Sequence, residues 1–417
     1  MKIVQSYWSH PSHFKDERKF GRTKGGFLDE LFHYMGWALS CLTLKKFYKK
    51  IELVTDKEGE ALFINQFNLP YSSVSVCLDE LNGYHPELWA IGKIKAYQIQ
   101  TEPFLHVDGD IFIWKKFGDK AFHKKPLIVQ NIDLDYAWYK EMMKAIETHF
   151  EFVPTEIYEA YKIRKDFTAI NAGIIGGADL GFFQKYTNKA FEFVDKNVEC
   201  LKSVNIGLFN NVFEQYLFYC LAKAENKNIE PLFNLKPHSE FTELMNFNLV
   251  PNFCSYIHLM GFAKKNIFAC EQIEMRLKYE FPKYYAHFIK LFPKPFFNSP
   301  ENRFEKLKKA YQFLRCSDSE AILKQKFCLS AGVKIIEGEN ETKTLEYTNP
   351  QWNKKETIVL EGWDLMLPAF SEPSCGYDII DSVSEGHSKK EIEELKSKVI
   401  EFLMSKLIYK DILKFSK

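Results

Sequence analysis

Apolar and polar positions fall into a repeating order over the first third of the chain. Residues 2–8 run mostly apolar and predict a first strand. His10 to Lys24, with Pro11 and Gly21, is polar and too long for a tight turn, so it predicts a loop at the edge of a site. Leu28, Leu31, Phe32, Met35, Ala38, Leu39 and Leu42 mark an amphipathic helix within residues 27–50. Residues 51–56 predict a second strand that ends on the Asp56 carboxylate. A second helix, a third strand at 74–78, a third helix at 86–97 and a strand from Phe104 follow. This alternation specifies a parallel sheet with crossover helices. Such sheets bind ligands beyond the carboxyl ends of their strands, where Asp56 and Asp108 fall.

Further on, residues 127–130 predict a strand, 135–149 a helix, 168–177 an extended segment, 206–224 a long helix and 255–259 a late strand. Pro293, Pro295 and Pro300 mark a junction. Two domains are expected: residues 1–295, an α/β domain, and residues 300–417, a smaller α+β unit. In the second, 301–325 read as helix and 326–370 as short strands with a polar turn at 337–340. A charged helix is expected over 388–414, with Ile392, Leu395, Val399 and Leu403 on one face. That unit reads equally as an acceptor- or partner-binding module and as a structural cap.

The chain has 417 residues, of which 46% are hydrophobic and 27% charged, enough to bury a sizeable core. Its 38 Phe and 21 Tyr are read first as core filling and second as flat walls on which sugars stack. A formal net charge of +1 supplies no basic excess for nucleic acid. No apolar run has the length of a signal peptide or a membrane span. The nine cysteines are scattered with no CxxC pair, which predicts reduced thiols and a cytosolic (cytoplasmic) protein.

Four segments carry candidate chemistry. Phe104-Leu105-His106-Val107 delivers Asp108-Gly109-Asp110, two carboxylates at i and i+2 with a glycine between them. Paired hard oxygens suit Mg²⁺ or Mn²⁺, and such an ion bridges the phosphates of a nucleotide diphosphate. Asn171-Ala172-Gly173 opens a strand with small groups against which a sugar would lie, and the Asn171 amide both donates and accepts. Glu214 and Gln215 stand side by side in a helix and are candidates to line a sugar pocket. In His258-Leu259-Met260-Gly261-Phe262-Ala263-Lys264 a neutral imidazole completes a metal site, Gly261 permits a turn and Lys264 returns as a point charge on phosphate. Each has a plainer reading: a solvated turn, a strand with a glycine bulge, a wet helix face, a core histidine.

Taken together, the four resemble glycosyltransferase family 8, retaining enzymes of the GT-A type. There an Asp-x-Asp strand, an Asn-Ala-Gly strand, an Asp-Gln pair and a His-x-x-Gly-x-x-Lys box occur in this order. The resemblance covers roughly residues 1–290 and implies a GT-A Rossmann-like, mostly parallel sheet with flanking helices. It implies Asp108, Asp110 and His258 as ligands of Mn²⁺ or Mg²⁺, Lys264 as a diphosphate contact and Gln215 beside the anomeric carbon. It further implies a nucleotide-sugar donor, a UDP-sugar foremost, and an acceptor that is a glycan, a lipid-linked sugar or a peptide. The chain departs from the family at Glu214, where the family has Asp, after Lys264, where Lys265-Asn266 follow, and in strand one, which lacks the Asp-x-x-Tyr box. It reads as a divergent relative among uncharacterised bacterial groups.

Weaker candidates lie nearby. Lys93 and Lys95 precede the Asp-Gly-Asp strand and are placed to reach phosphates; Asp56 is placed to bond a ribose or base; Tyr7 and Trp8 are placed to stack on one. Surface lysine, helix-cap aspartate and core aromatic are the plain readings. Gly25-Gly26 offers a weak phosphate cradle, and His10 and His13 read as loop residues. Two other functions compete: a sugar-nucleotide nucleotidyltransferase, faintly suggested by Gly21 to Gly26, and a GT-A-like binding module without turnover.

Overall fold

The computed structural model describes residues 1–13, 25–27, 29–118, 124–134, 137–233, 245, 247–252, 254–292, 309–310, 313, 316–338, 342–349 and 354–416. The expected loop beyond residue 13, the 293–300 junction, about half of the expected 301–325 helix and the tip of the 337–340 turn lie outside them. The chain divides into two compact units. The first holds Met1–Gly26, Glu30–Met260 and Gln272–Phe292; the second holds Phe27–Asp29, Gly261–Glu271 and Pro293–Lys417.

The first unit is α/β, as the alternation predicts. Its strands are β1 (Lys2–Tyr7), β2 (Ile51–Thr55), β3 (Ser73–Val76), β4 (Phe104–Val107), β5 (Ile111–Ile113), β6 (Leu127–Val129), β7 (Ile132–Asp133), β8 (Ala169–Ile170), β9 (Ile174–Gly177), β10 (Ile229–Pro231) and β11 (Tyr256–His258). Seven form one mostly parallel sheet in the order β10-β6-β9-β4-β1-β2-β3. The pairs β1–β2, β2–β3, β1–β4 and β6–β10 are parallel, while β9 runs antiparallel to both β4 and β6. Neighbouring strand residues feed opposite cores. Val4, Phe104 and Ile175 point into one, and Ile3, Leu105 and Ile174 into the other, so the sheet is buried on both faces.

The helices differ from expectation in extent. The first runs Glu30–Phe47 and is buried continuously from Met35 to Leu44, so it is a core helix with apolar residues all round and not an amphipathic one. The third begins at Ile91, because turns closed by Leu88 N–H on the His85 carbonyl and Ile91 N–H on the Leu88 carbonyl occupy the residues before it. The long helix starts on the Asn205 cap at Ile206 and ends at Ala224, with a π-helical segment at Val212–Tyr216.

The second unit contains a three-stranded antiparallel sheet, β13 (Lys334–Glu337), β14 (Lys343–Asn349) and β15 (Lys354–Val359), and a separate pair, β12 (Phe327–Leu329) with β16 (Leu413–Phe415). Strand character ends at Val359; Trp363 sits in a 3₁₀ helix, Gly362–Ser371, which corrects the expectation of strand through residue 370. The last long helix spans Lys389–Met404 behind a Ser388–Glu391 capping box and gives way to a π turn and β16, short of the expected residue 414. Its expected apolar face packs inward: Val399 and Leu403 are buried in this unit's core and Ile392 and Leu395 lie against it. Among the described residues no helix is long and apolar enough to cross a membrane. All nine cysteines are free, as their scatter predicts.

Candidate metal centre

Strand β4 is fully buried and ends one residue before Asp108, whose N–H donates to the Gly173 carbonyl at 2.9 Å. A turn closed by Ile111 N–H on the Asp108 carbonyl (3.2 Å) leads into β5. Gly109 has no room for a side chain, since a Cβ there would stand 2.4 Å from the buried Trp37 indole. β11 pairs antiparallel with β5 and sets His258 opposite Ile111. The backbone thereby brings Asp108, Asp110 and His258 together across 150 residues of sequence. Their ligand atoms lie within 4.8 Å of one another, the one group of this kind among the described residues.

The donor set fits a hard divalent cation. Asp110 Oδ1 stands 3.4 Å from His258 Nε2, so two electron-pair donors converge with Asp108 on one point. Asp108 and Glu214 bring two carboxylates against the ammonium of Lys93. Lys93 is buried and lies 3.0 Å from Asp108 Oδ1, 2.7 Å from Glu214 Oε1 and 3.2 Å from the Ala172 carbonyl. Burial lowers its affinity for a proton, but Asp108 and Glu214 outweigh that and hold it above the usual lysine range. Burial raises the Asp108 carboxyl, and Lys93 opposes the shift. Burial likewise raises Glu214, which accepts from Tyr97 OH at 3.1 Å. His106 is pushed well below the usual range by burial and by Lys93, and its Nε2 meets Ser6 Oγ at 2.9 Å.

The other candidates are distributed as follows. Glu214 reaches the centre through Lys93, whereas the neighbouring Gln215 donates to Asn211 Oδ1 on its own helix. Asn171 shapes the turn before β9: its Oδ1 accepts from Gly173 N–H at 3.0 Å and its amide points at Met260 Sδ, 3.5 Å away. Asp56 is a helix cap that accepts from Gly59 N–H and from both the N–H and hydroxyl of Ser9, so the plain reading describes it. Tyr7 packs edge-on against Phe63 and Trp37, and Trp8 is buried with its indole N–H on Asn82. Lys95 pairs with Glu80. His13 pairs with Glu58 on the surface, and His10–His13 form a short 3₁₀ helix where a loop was expected. Gly25 packs against His33. Gly261 and Lys264 lie in a 3₁₀ turn of the second unit, with the Lys264 ammonium over the Phe27 ring.

Two residues of the centre escaped the sequence reading, Gln130 and Tyr256. Gln130 Oε1 accepts from Tyr256 OH at 2.5 Å and lies 2.6 Å from His258 Nδ1. The signal for it was present: two amides, Gln130 and Asn131, directly follow a buried strand whose carboxyl end lies on the Asp108 side of the sheet.

Solved structures that resemble the chain include galactosyltransferase LgtC in complex with donor and acceptor sugar analogs and an active-site mutant of LgtC. Each shares 11% identity and covers 51% of this chain and 70% of its own, with TM-scores of 0.28 and 0.27. Among curated proteins none matches. One family model matches, over residues 1–291, and the chain belongs to that family, described as "Family of unknown function (DUF6734)".

Proposed function

We propose that this chain is a metal-dependent glycosyltransferase of the GT-A kind, which moves a sugar from a nucleotide-diphosphate donor to an acceptor with retention. The observation that carries the reading is the convergence of Asp108, Asp110 and His258 at the carboxyl end of a buried strand in a mostly parallel sheet. These three side chains would hold Mn²⁺ or Mg²⁺. When bound, such an ion neutralises the charge growing on a diphosphate leaving group. Lys93 holds the Asp108 carboxylate in place and ties it to Glu214, fixing the long helix that carries Gln215. Asn171 and Gln215 supply amides for sugar hydroxyls, with Gln215 assigned to the face of the anomeric carbon. A UDP-sugar is the expected donor; a glycan, lipid-linked sugar or peptide is the expected acceptor. Residues 300–417 are assigned an accessory role.

Incubation with UDP- and GDP-sugars and Mn²⁺ tests the reading, with release of nucleoside diphosphate as the readout. Slow UDP release without acceptor supports it. Pyrophosphate release from a nucleoside triphosphate and a sugar phosphate would replace it with a nucleotidyltransferase. Metal-dependent nucleotide binding without turnover of any donor would replace it with a binding module.

A further inference from the structure

Gln130, Asn131 and Asp133 form a directional chain behind His258. Asn131 donates its amide to Asp133 Oδ1 at 2.6 Å, Gln130 donates its amide to Asn131 Oδ1 at 3.0 Å, and Gln130 Oε1 lies 2.6 Å from His258 Nδ1. Gln130 and Asn131 are fully buried; His258 and Asp133 are nearly so. An ionised carboxylate only accepts hydrogen bonds. Asp133 therefore requires the NH₂ of Asn131 to face it, which turns the Asn131 carbonyl towards Gln130. That carbonyl needs a donor, so the NH₂ of Gln130 faces it and the Gln130 carbonyl faces His258. The imidazole nitrogen on that side must then carry a hydrogen. Tyr256 OH, 2.5 Å from the same carbonyl, reinforces the orientation, because a reversed amide would present N–H to a hydroxyl that has no other acceptor among the described residues. Nε2 is left with its lone pair, aimed at Asp110 Oδ1.

We infer that Gln130 is a positioning residue for the metal centre: anchored by Asp133, it fixes His258 as the Nδ1–H tautomer and leaves Nε2 free to ligate. The inference rests on the proposed metal site but not on sugar transfer. Orienting partners of this sort are worth roughly 10- to 100-fold in metal affinity. Gly173 keeps the assembly tight, since a Cβ there would stand 2.3 Å from His258 Cε1 and 2.5 Å from Gln130 Oε1.

Two readouts on the full chain near neutral pH test the inference: ¹⁵N chemical shifts of the His258 ring in metal-free protein, and Mn²⁺ affinity by calorimetry without nucleotide. The wild type should show Nδ1–H. Gln130→Met, which keeps the length but removes the acceptor, should mix the tautomers and weaken Mn²⁺ binding roughly 10- to 100-fold. Gln130→Glu keeps an acceptor towards His258 and should retain Nδ1–H. Asp133→Asn removes the acceptor-only anchor and should lower the Nδ1–H population. An Nε2–H wild type, or a Gln130→Met variant with unchanged tautomer, overturns the inference. If Gln130→Met does not fold, the wild-type tautomer and the contrast between Gln130→Glu and Asp133→Asn decide alone. A wild type that shows Nδ1–H yet binds no Mn²⁺ sinks the transferase reading and the positioning role with it, whereas metal binding without sugar turnover sinks only the former.

Discussion

Gly173 shows how little slack surrounds the centre. With only 2.3 Å between its missing Cβ and the His258 ring, Gly173→Ala must displace the imidazole. Mn²⁺ affinity should fall at least about tenfold with the far-UV spectrum unchanged; equal affinity would show that His258 is not a ligand. Asp133 gives a pH signature. Burial raises its carboxyl from 3.8 to about 6, against the pull of Asn131. Between those values the native state binds more protons than the unfolded chain, so the stability this group contributes at low pH is lost as pH rises through about 6. The unfolding free energy of the wild type minus that of Asp133→Asn should drop by up to about 3 kcal/mol from pH 4 to pH 7. Urea titrations across that range check it, and a flat or rising difference contradicts it. At this scale the grouping of Asp108, Asp110 and His258 was legible, because two carboxylates after a hydrophobic strand and a histidine in a box are local patterns. Gln130 and Tyr256 were not, since their contact exists only once the residue after β6 meets β11 in space. Asp56 follows its plain reading, because a carboxylate at a strand end serves a helix cap as readily as a ligand.

The parallel direction of β1 to β4 was legible in the strand–helix alternation, since crossover connections leave that imprint. The antiparallel placement of β9 between β4 and β6 was not, and it depends on two glycines. Gly177 holds φ at +142°, and a Cβ there would stand 2.0 Å from the Pro126 carbonyl oxygen, a backbone atom that cannot swing aside. Gly176 meets the Phe104 carbonyl in the same way on the other neighbour. Gly177→Ala should therefore cost at least about 2 kcal/mol and lower the melting temperature by several degrees. A variant that melts with the wild type would show that β9 adjusts without strain. Helix boundaries were less legible than strand direction. Periodicity gave the first helix an amphipathic face, whereas burial surrounds it from Met35 to Leu44, because core helices carry apolar residues all round.

The two compact units are not two contiguous halves of the sequence. The segment Gly261–Glu271 groups with the C-terminal residues, and Phe268 within it packs against the core built by residues such as Leu323, Phe370 and Phe402. A clean cut at the Pro-marked junction was the natural reading, since a Pro-rich stretch is a local signal and a shared core is not. A chain ending at residue 299 should leave Phe268 without its core and melt below the full-length protein in scanning calorimetry. Equal melting temperatures would make residues 300–417 an independent module. The central claim is that Asp108, Asp110 and His258 hold a divalent ion that carries a nucleotide diphosphate. Its most direct measurement is a calorimetric titration of UDP into the wild type and Asp110→Asn, with Mn²⁺ and with EDTA. Binding to the wild type with Mn²⁺, weakened at least about 100-fold by EDTA or by Asp110→Asn, an effect of about 3 kcal/mol, is the predicted result. Equal UDP affinity in all four titrations would contradict it.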